Sequence, residues 1–318
     1  MPIIKAKVLN EDSNIRLDRW FRRHYQDFPY VVLLKLIRKG QIRIDGKRAK
    51  ASDKLASMQE IRFPLINFIT QEEKNTIPYI EKNFKKLKEE FLKTIIMQDD
   101  NLIAINKPEG MLVQGGTKIK VSLDALAEKI YESGVKSPKV VHRLDKDTSG
   151  VLILAKGSSI AAKLSALIRE RRVKKTYIAI LQNVPKLKQG EITTGLLKTK
   201  VEKNYERVKV TDSSNKKSIT KYKVLDTHKN LISLVQMSPI TGRTHQLRVH
   251  SAELGCPILG DKKYGKNEII LPDFQYKKLF LHAYALEFTI DGKSYNIKAP
   301  LPLYFERICE KYNLKKLD

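Results

Sequence analysis

The chain has 318 residues, 42% hydrophobic and 30% charged, with 61 Lys and Arg against 35 Asp and Glu for a formal net charge of +26. This composition excludes disordered and fibrous classes, and the length suffices for one large domain or two ordinary ones. The opening MPIIKAKVLNEDS lacks the apolar core of a signal peptide, no apolar run reaches a membrane span, and two cysteines, Cys256 and Cys309, support neither a disulfide framework nor a multi-cysteine zinc site. The expectation is a cytoplasmic, metal-free protein whose positive surplus faces a polyanion, nucleic acid ahead of an anionic membrane surface.

The first predicted unit covers residues 13–66. In RLDRWFRRHY, Leu17, Trp20, Phe21 and Tyr25 recur at helical spacing, with Arg19, Arg22 and Arg23 on the other face. Pro29 opens a second helix whose buried face is Val32, Leu33, Leu36 and Ile37, and Gly40 sits at its C-terminal cap. Asp45-Gly46 then joins two short alternating runs, a two-residue hairpin signal. Residues 13–70 hold thirteen Lys and Arg against five Asp and Glu, a denser surplus than the chain average.

Residues 67–93 read as a charged linker with Pro78 breaking any continuous helix. From 94 to 318, short β runs dominate: TIIMQ, LIAINK, VVHRL, VLILAK, TYIAIL, SITKYKVLD, LISLVQMS and FLHAYALEFTI. Helical patterns fall at 122–133 and 158–172 and again after Arg243. The fold class expected is α+β with a mixed, largely antiparallel sheet and flanking helices.

Several motif-like stretches fail on inspection. Gly260 to Asn267 nearly spells a phosphate-binding P-loop, but Asn stands where magnesium needs a Ser or Thr hydroxyl. Asp145-Lys-Asp-Thr resembles a phosphatase Asp-x-Asp, but no long apolar strand leads into it. The G-x-G-x-x-G of dinucleotide-binding folds is missing. His245 and His250 are five apart, a poor fit to metal ligands one helical turn apart, and read as structural or phosphate-facing.

Four polar segments between apolar strands concentrate the chemistry: INKPEG (105–110), VHRLDKDTSG (141–150), KTYIAI (175–180) and ITGRTHQLRVH (240–250), the last followed by LGCPILGDKKYG. HRLDKDTSGVLILAK and TGRTHQLRVHSAELGCPILGDKKYG resemble the two signature stretches of the RluA/RluC/RluD family of RNA pseudouridine synthases. INKPEG, KKTYIAIL and LFLHAYALEF are similar to its lesser ones. The N-terminal helix–helix–hairpin pattern resembles the small RNA-binding domain named after ribosomal small-subunit protein S-four.

The resemblance implies an isomerase that breaks the ribose bond to the uracil nitrogen, rotates the base and rejoins it through carbon 5. No cofactor, metal or nucleotide triphosphate is implied. Asp145 is the implied central carboxylate, attacking ribose or base or stabilising a ribose-derived intermediate. Arg248 is the arginine implied to pair with it, and Tyr177 the tyrosine that stacks on the target base. Arg143 is implied to fill the helix when uridine flips out. His142, Thr148 and Ser149 shape the loop, and Lys107 and Arg243 are expected at phosphates. In the N-terminal unit, Arg19, Arg22, Arg38, Arg43 and Lys47 are the expected RNA contacts. The run from Ile168 to Lys175 is expected to face substrate.

Within the family the chain looks nearest the RluC branch, so the implied partner is 23S ribosomal RNA or a large-subunit assembly intermediate, met by a monomer. RluD-like and tRNA-modifying relatives are the alternatives, as is a non-catalytic ribosome-assembly protein on the same scaffold.

Overall fold

The computed structural model describes residues 3–25, 28, 30–64, 83–115, 121–131, 138–202, 205–211, 217–265, 271 and 278–315. The chain divides into two compact units, Met1–Asn75 and Thr76–Asp318.

The small unit contains β1 (Ile3–Lys7), α1 (Leu17–His24), α2 (Tyr30–Arg38), β2 (Arg43–Ile44), β3 (Lys47–Arg48) and β4 (Glu60–Pro64), with the strands ordered β1-β4-β2-β3. It begins earlier than residue 13, because β1 pairs antiparallel with β4 from Ile3–Pro64 to Lys7–Glu60. The helical spacing is realised: Leu17, Trp20, Phe21, Leu33 and Leu36 are buried in one cluster with Ile42, Ile61 and Phe63. Gly40 and Asp45-Gly46 all have positive φ, so the helix cap and two-residue hairpin form as their residue types dictate. Asp12 is fully buried, accepting from Arg23 at 2.9 Å and meeting His24 Nε2 at 2.5 Å. Pro29 and most of the expected linker, 67–82, lie outside the described residues. The remainder of that stretch is not a linker: residues 83–93 form a helix, α3, whose Phe91 is buried against Ile103, Ile105 and Leu152 of the large unit.

The large unit is built on one extended sheet. Its path runs β11 (Tyr205–Thr211), β10 (Gln189–Glu202), β12 (Lys217–His228), β13 (Ile232–Pro239), β9 (Lys174–Gln182), β14 (Leu281–Ile290), β8 (Ser149–Lys156), β6 (Leu102–Lys107) and β5 (Ile95–Gln98). β15 (Lys293–Lys298) pairs with β14, and β7 (Pro138–Val140) with β8. The β8–β14 pairing is parallel and the others are antiparallel, which makes the sheet mixed and largely antiparallel. Helices α4 (Leu123–Ile130), α5 (Ser158–Arg169) and α6 (Gln246–Glu253) occupy the predicted positions, and α7 (Leu303–Lys311) adds one not foreseen. The run VVHRL departs from expectation: only Val140 is strand, and the chain leaves the sheet from Val141 onward. β10, β11 and β15 were likewise unforeseen.

The centre of the sheet positions the site. β8 is buried almost throughout, as its unbroken apolar run VLILA requires. At its start Gly150 has φ +111°, and a Cβ there would lie 2.2 Å from the Ala283 carbonyl oxygen. Glycine is thus required where the polar loop 141–148 enters β8 beside β14. Tyr177 on β9 pairs with Ala283 from the other side. The loop and Tyr177 are therefore two strand spacings apart, about 10 Å.

Candidate active site

A cleft of about 480 Å³ opens in the large unit, walled by the 141–148 loop, the end of α5 and start of β9, and the 239–248 segment entering α6. One carboxylate lines it, Asp145. Six permanent or near-permanent cations line it too: Arg143, Arg169, Arg171, Lys175, Arg243 and Arg248. Low-dielectric walls focus such a field, so the cleft is built to receive a polyanion.

The loop carrying Asp145 is held at three points. Thr148 N–H donates to the Asp145 carbonyl at 3.1 Å, closing the turn. Ile153 N–H donates to His142 Nε2 at 3.0 Å, tying the imidazole to β8. Burial drives the His142 pKa down to about 3, with nearby Lys175 adding to the effect, so the ring acts as a neutral acceptor. Ser149 Oγ meets His282 Nδ1 at 2.9 Å behind the loop. Thr148 is buried and lines the cleft.

Lys107 supplies a further anchor and corrects an expectation. Its side chain is fully buried, so it does not reach phosphates. Its ammonium donates to the carbonyls of Pro108 and Met111 at 2.9 Å and of Lys146 at 3.1 Å. Burial lowers its pKa to about 8, opposed by Asp147, Asp145 and Glu109. INKPEG thus braces the aspartate loop from behind.

Tyr177 lines the cleft, half-buried, with its pKa raised by burial and then by the charge of Asp145. Lys175, two residues earlier on the same strand face, lines the same wall. The run from Ile168 to Lys175 does face the cleft, through Ile168, Arg169, Arg171, Val173 and Lys175. Arg143 and Arg243 are exposed at its edge.

Arg248 also lines the cleft, but its hydrogen bonds go elsewhere than expected. Nε and Nη2 each donate to a different oxygen of Asp261 at 2.7 Å. Burial works against the charge of Arg248, but the bonds and charge of Asp261, with Asp145 adding, raise its pKa. Burial likewise opposes ionisation of Asp261, and Arg248 outweighs it and lowers the pKa. Asp261 also accepts from the backbone N–H groups of Lys263 and Tyr264. Arg248 therefore acts on Asp145 through its field, and Asp261 is its bonded partner.

Asp261 and Tyr264 are the residues that sequence reasoning missed, and His245, read there as structural or phosphate-facing, stands beside Asp145. The first two lie in the GDKKYG turn set aside as a failed P-loop. Its glycines serve packing: a Cβ on Gly260 would meet the Lys278 carbonyl oxygen at 1.8 Å, and one on Gly265 the Asp261 carbonyl oxygen at 2.3 Å. His245 stands at the N-cap of α6 with Nε2 3.9 Å from Asp145 Oδ2. Among the described residues, no group of three His, Cys, Asp or Glu side chains could hold a metal ion.

In the small unit, Arg19, Arg22, Arg38 and Lys47 are exposed, as an RNA-facing role requires. Arg43 differs: its guanidinium donates to the Gly40 and Gly46 carbonyls at 3.3 and 2.9 Å and closes the hairpin.

The RNA pseudouridylate synthase family model matches residues 101–253, which include Asp145, Tyr177 and Arg248. The chain is 40% identical over 310 residues to Ribosomal large subunit pseudouridine synthase C of Rickettsia bellii, covering 95% of this chain and 99% of that protein. It is 32% identical over 317 residues to the protein of the same name from Salmonella typhi, covering 97% of each. Among solved structures, Human RNA Pseudouridylate Synthase Domain Containing 4 matches with a TM-score of 0.61 at 31% identity, over 76% of this chain and all of that one. No helix among the described residues is long and apolar enough to cross a membrane. With near end-to-end similarity of this kind, the chain belongs to the RNA pseudouridylate synthase family and is an RNA pseudouridine synthase, an isomerase.

Proposed function

We propose that the enzyme isomerises uridines of large-subunit 23S ribosomal RNA, with Asp145 as the catalytic residue. The supporting observation is the cleft itself, where one carboxylate stands among six cations beside a half-buried tyrosine. The cations bind the phosphates flanking an extruded nucleotide, and Asp145 meets its ribose or base. The bond from C1′ to N1 breaks, the base turns, and C1′ bonds to C5. C5 then loses its proton and N1 gains one, so atoms and electrons balance within the nucleoside. No cofactor enters this balance, and one chain carries every group named.

Tyr177 stacks on the target base, and Arg143 fills the space left in the RNA. The exposed Arg19, Arg22, Arg38 and Lys47 of the small unit contact RNA phosphates. The substrate assignment draws on the names of the relatives from Rickettsia bellii and Salmonella typhi.

The test is pseudouridine mapping of ribosomal and transfer RNA in cells lacking the gene, complemented with wild type or Asp145→Ala. Loss of large-subunit sites restored by wild type alone is expected. Loss confined to transfer RNA would move the substrate assignment, and restoration by Asp145→Ala would overturn the role of the aspartate.

A further inference from the structure

The geometry points to His245 as a positioning residue for Asp145, with Tyr264 setting its tautomer. The inference rests on the reading of Asp145 as the catalytic carboxylate.

Tyr264 Oη receives the backbone N–H of Val208 at 2.9 Å and lies 2.8 Å from His245 Nδ1. With Val208 occupying an acceptor position, the hydroxyl proton is free to go to Nδ1. The imidazole proton then resides on Nε2, the nitrogen nearer Asp145. Burial lowers the His245 pKa, opposed by Asp145 and reinforced by Arg248 and Lys263, so a neutral ring with one defined proton is the form favoured.

The separation of 3.9 Å from Nε2 to Asp145 Oδ2 is just beyond a hydrogen bond. Catalytic contacts in ligand-free enzymes are commonly long and tighten when substrate fills the site. A small closure of the 141–148 loop onto bound RNA brings the two into bonding range. One Asp145 oxygen is then held by His245 and the other is left to face the ribose. The backbone is consistent with a fixed role: His245 has φ +53° at the N-cap of α6, a conformation that non-glycine residues adopt sparingly. Tyr264 is itself immobilised, with the guanidinium carbons of Arg248 and Arg207 at 5.3 and 5.6 Å from its ring centroid.

The experiment compares wild type, Asp145→Asn, His245→Ala, His245→Gln, Tyr264→Phe and the His245→Ala/Tyr264→Phe double variant. Each is measured for single-turnover conversion of a large-subunit RNA transcript, for RNA affinity by filter binding, and for melting temperature. His245→Ala is expected to slow conversion by about 10- to 100-fold, the scale of a misplaced reacting group, with affinity nearly unchanged. His245→Gln keeps an N–H donor and is expected to recover most of the rate. Tyr264→Phe should be slower by several-fold, and the double variant no slower than His245→Ala alone, because the two act as one unit.

A wild-type rate in His245→Ala alongside an inactive Asp145→Asn overturns the inference and leaves the aspartate assignment standing. Equal losses in the Ala and Gln variants, or rate losses matched by affinity losses, also overturn it. An active Asp145→Asn instead refutes the underlying reading of the site.

Discussion

Arg248 and Asp261 form a doubly hydrogen-bonded pair, both contacts 2.7 Å, with the Arg248 side chain 7% exposed and that of Asp261 fully buried. The pair fixes the guanidinium plane at the cleft wall so that its charge acts on Asp145 without spending a bond there. Removing one partner of such a pair leaves a buried charge uncompensated and costs about 3–5 kcal/mol. Asp261→Ala is therefore expected to lower the urea midpoint markedly. Arg248→Met combined with Asp261→Leu is expected to recover much of that stability while conversion stays low. A stable and fully active double variant would reduce Arg248 to a structural role.

Lys107 is expected to matter for the loop and not for RNA phosphates. Lys107→Met preserves length but strands three carbonyls, each costing about 1–3 kcal/mol if left unpaired. Thermal stability and conversion should both fall. The slope of log affinity against log salt should be unchanged, since no phosphate contact is lost. A shallower slope would show that Lys107 reaches the RNA.

The rim arginines should behave in the opposite way. Arg169→Gln, Arg171→Gln and Arg243→Gln remove charge from exposed side chains, so stability is expected to change by less than about 0.5 kcal/mol. Each that contacts a phosphate should reduce the salt slope by about 1. Filter binding across a range of potassium chloride concentrations decides this, and an unchanged slope in all three would remove the cation ring from RNA binding.

Three buried histidines set an acid limit on stability. Burial holds the pKa of His142 at about 3 and those of His250 and His282 at about 4, against an ordinary value of 6.5. His282 Nε2 meets the Ala299 carbonyl, which favours the charged ring, but burial outweighs it, and His250 Nδ1 is buried with no bonding partner to receive a second proton. The unfolded chain therefore holds more protons than the folded one between about pH 6.5 and pH 4. Stability is fully present above pH 6.5 and falls as pH drops through that window, by up to about 1.4 kcal/mol per pH unit per histidine. Urea midpoints at pH 7, 6 and 5 should decline in that order, whereas a flat series would show the rings protonated in the fold.

What was legible in the sequence follows the range of the interactions involved. Elements defined by local spacing were readable: α1 from Leu17, Trp20 and Phe21, the Asp45-Gly46 hairpin, and β8 from its apolar run. β10 and β11 were not, because KTKVEKNYERVKV alternates charge with few large apolar residues. Leu196 and Val208 form a small buried cluster with Val249, with Tyr264 against it, and Ile192 at the other end of β10 joins the main core. The aspartate loop was legible as a dense polar stretch between strands. The choice of partners was not: a buried arginine needs a carboxylate, and Asp145 and Asp261 both satisfied that at the level of sequence. Tertiary placement assigned Arg248 to Asp261 and left His245 beside Asp145. Lys107 was misread for the same reason, since a lysine after an apolar strand carries no mark of whether its ammonium meets solvent or three carbonyls.

The central claim is that Asp145 performs the isomerisation while the surrounding cations bind the RNA. The most direct measurement is single-turnover tritium release from a large-subunit RNA transcript labelled at uridine C5, comparing wild type with Asp145→Asn at matched RNA affinity. Release by wild type and none by the variant, with affinity within about two-fold, is the result expected. Release by Asp145→Asn at the wild-type rate would contradict the account.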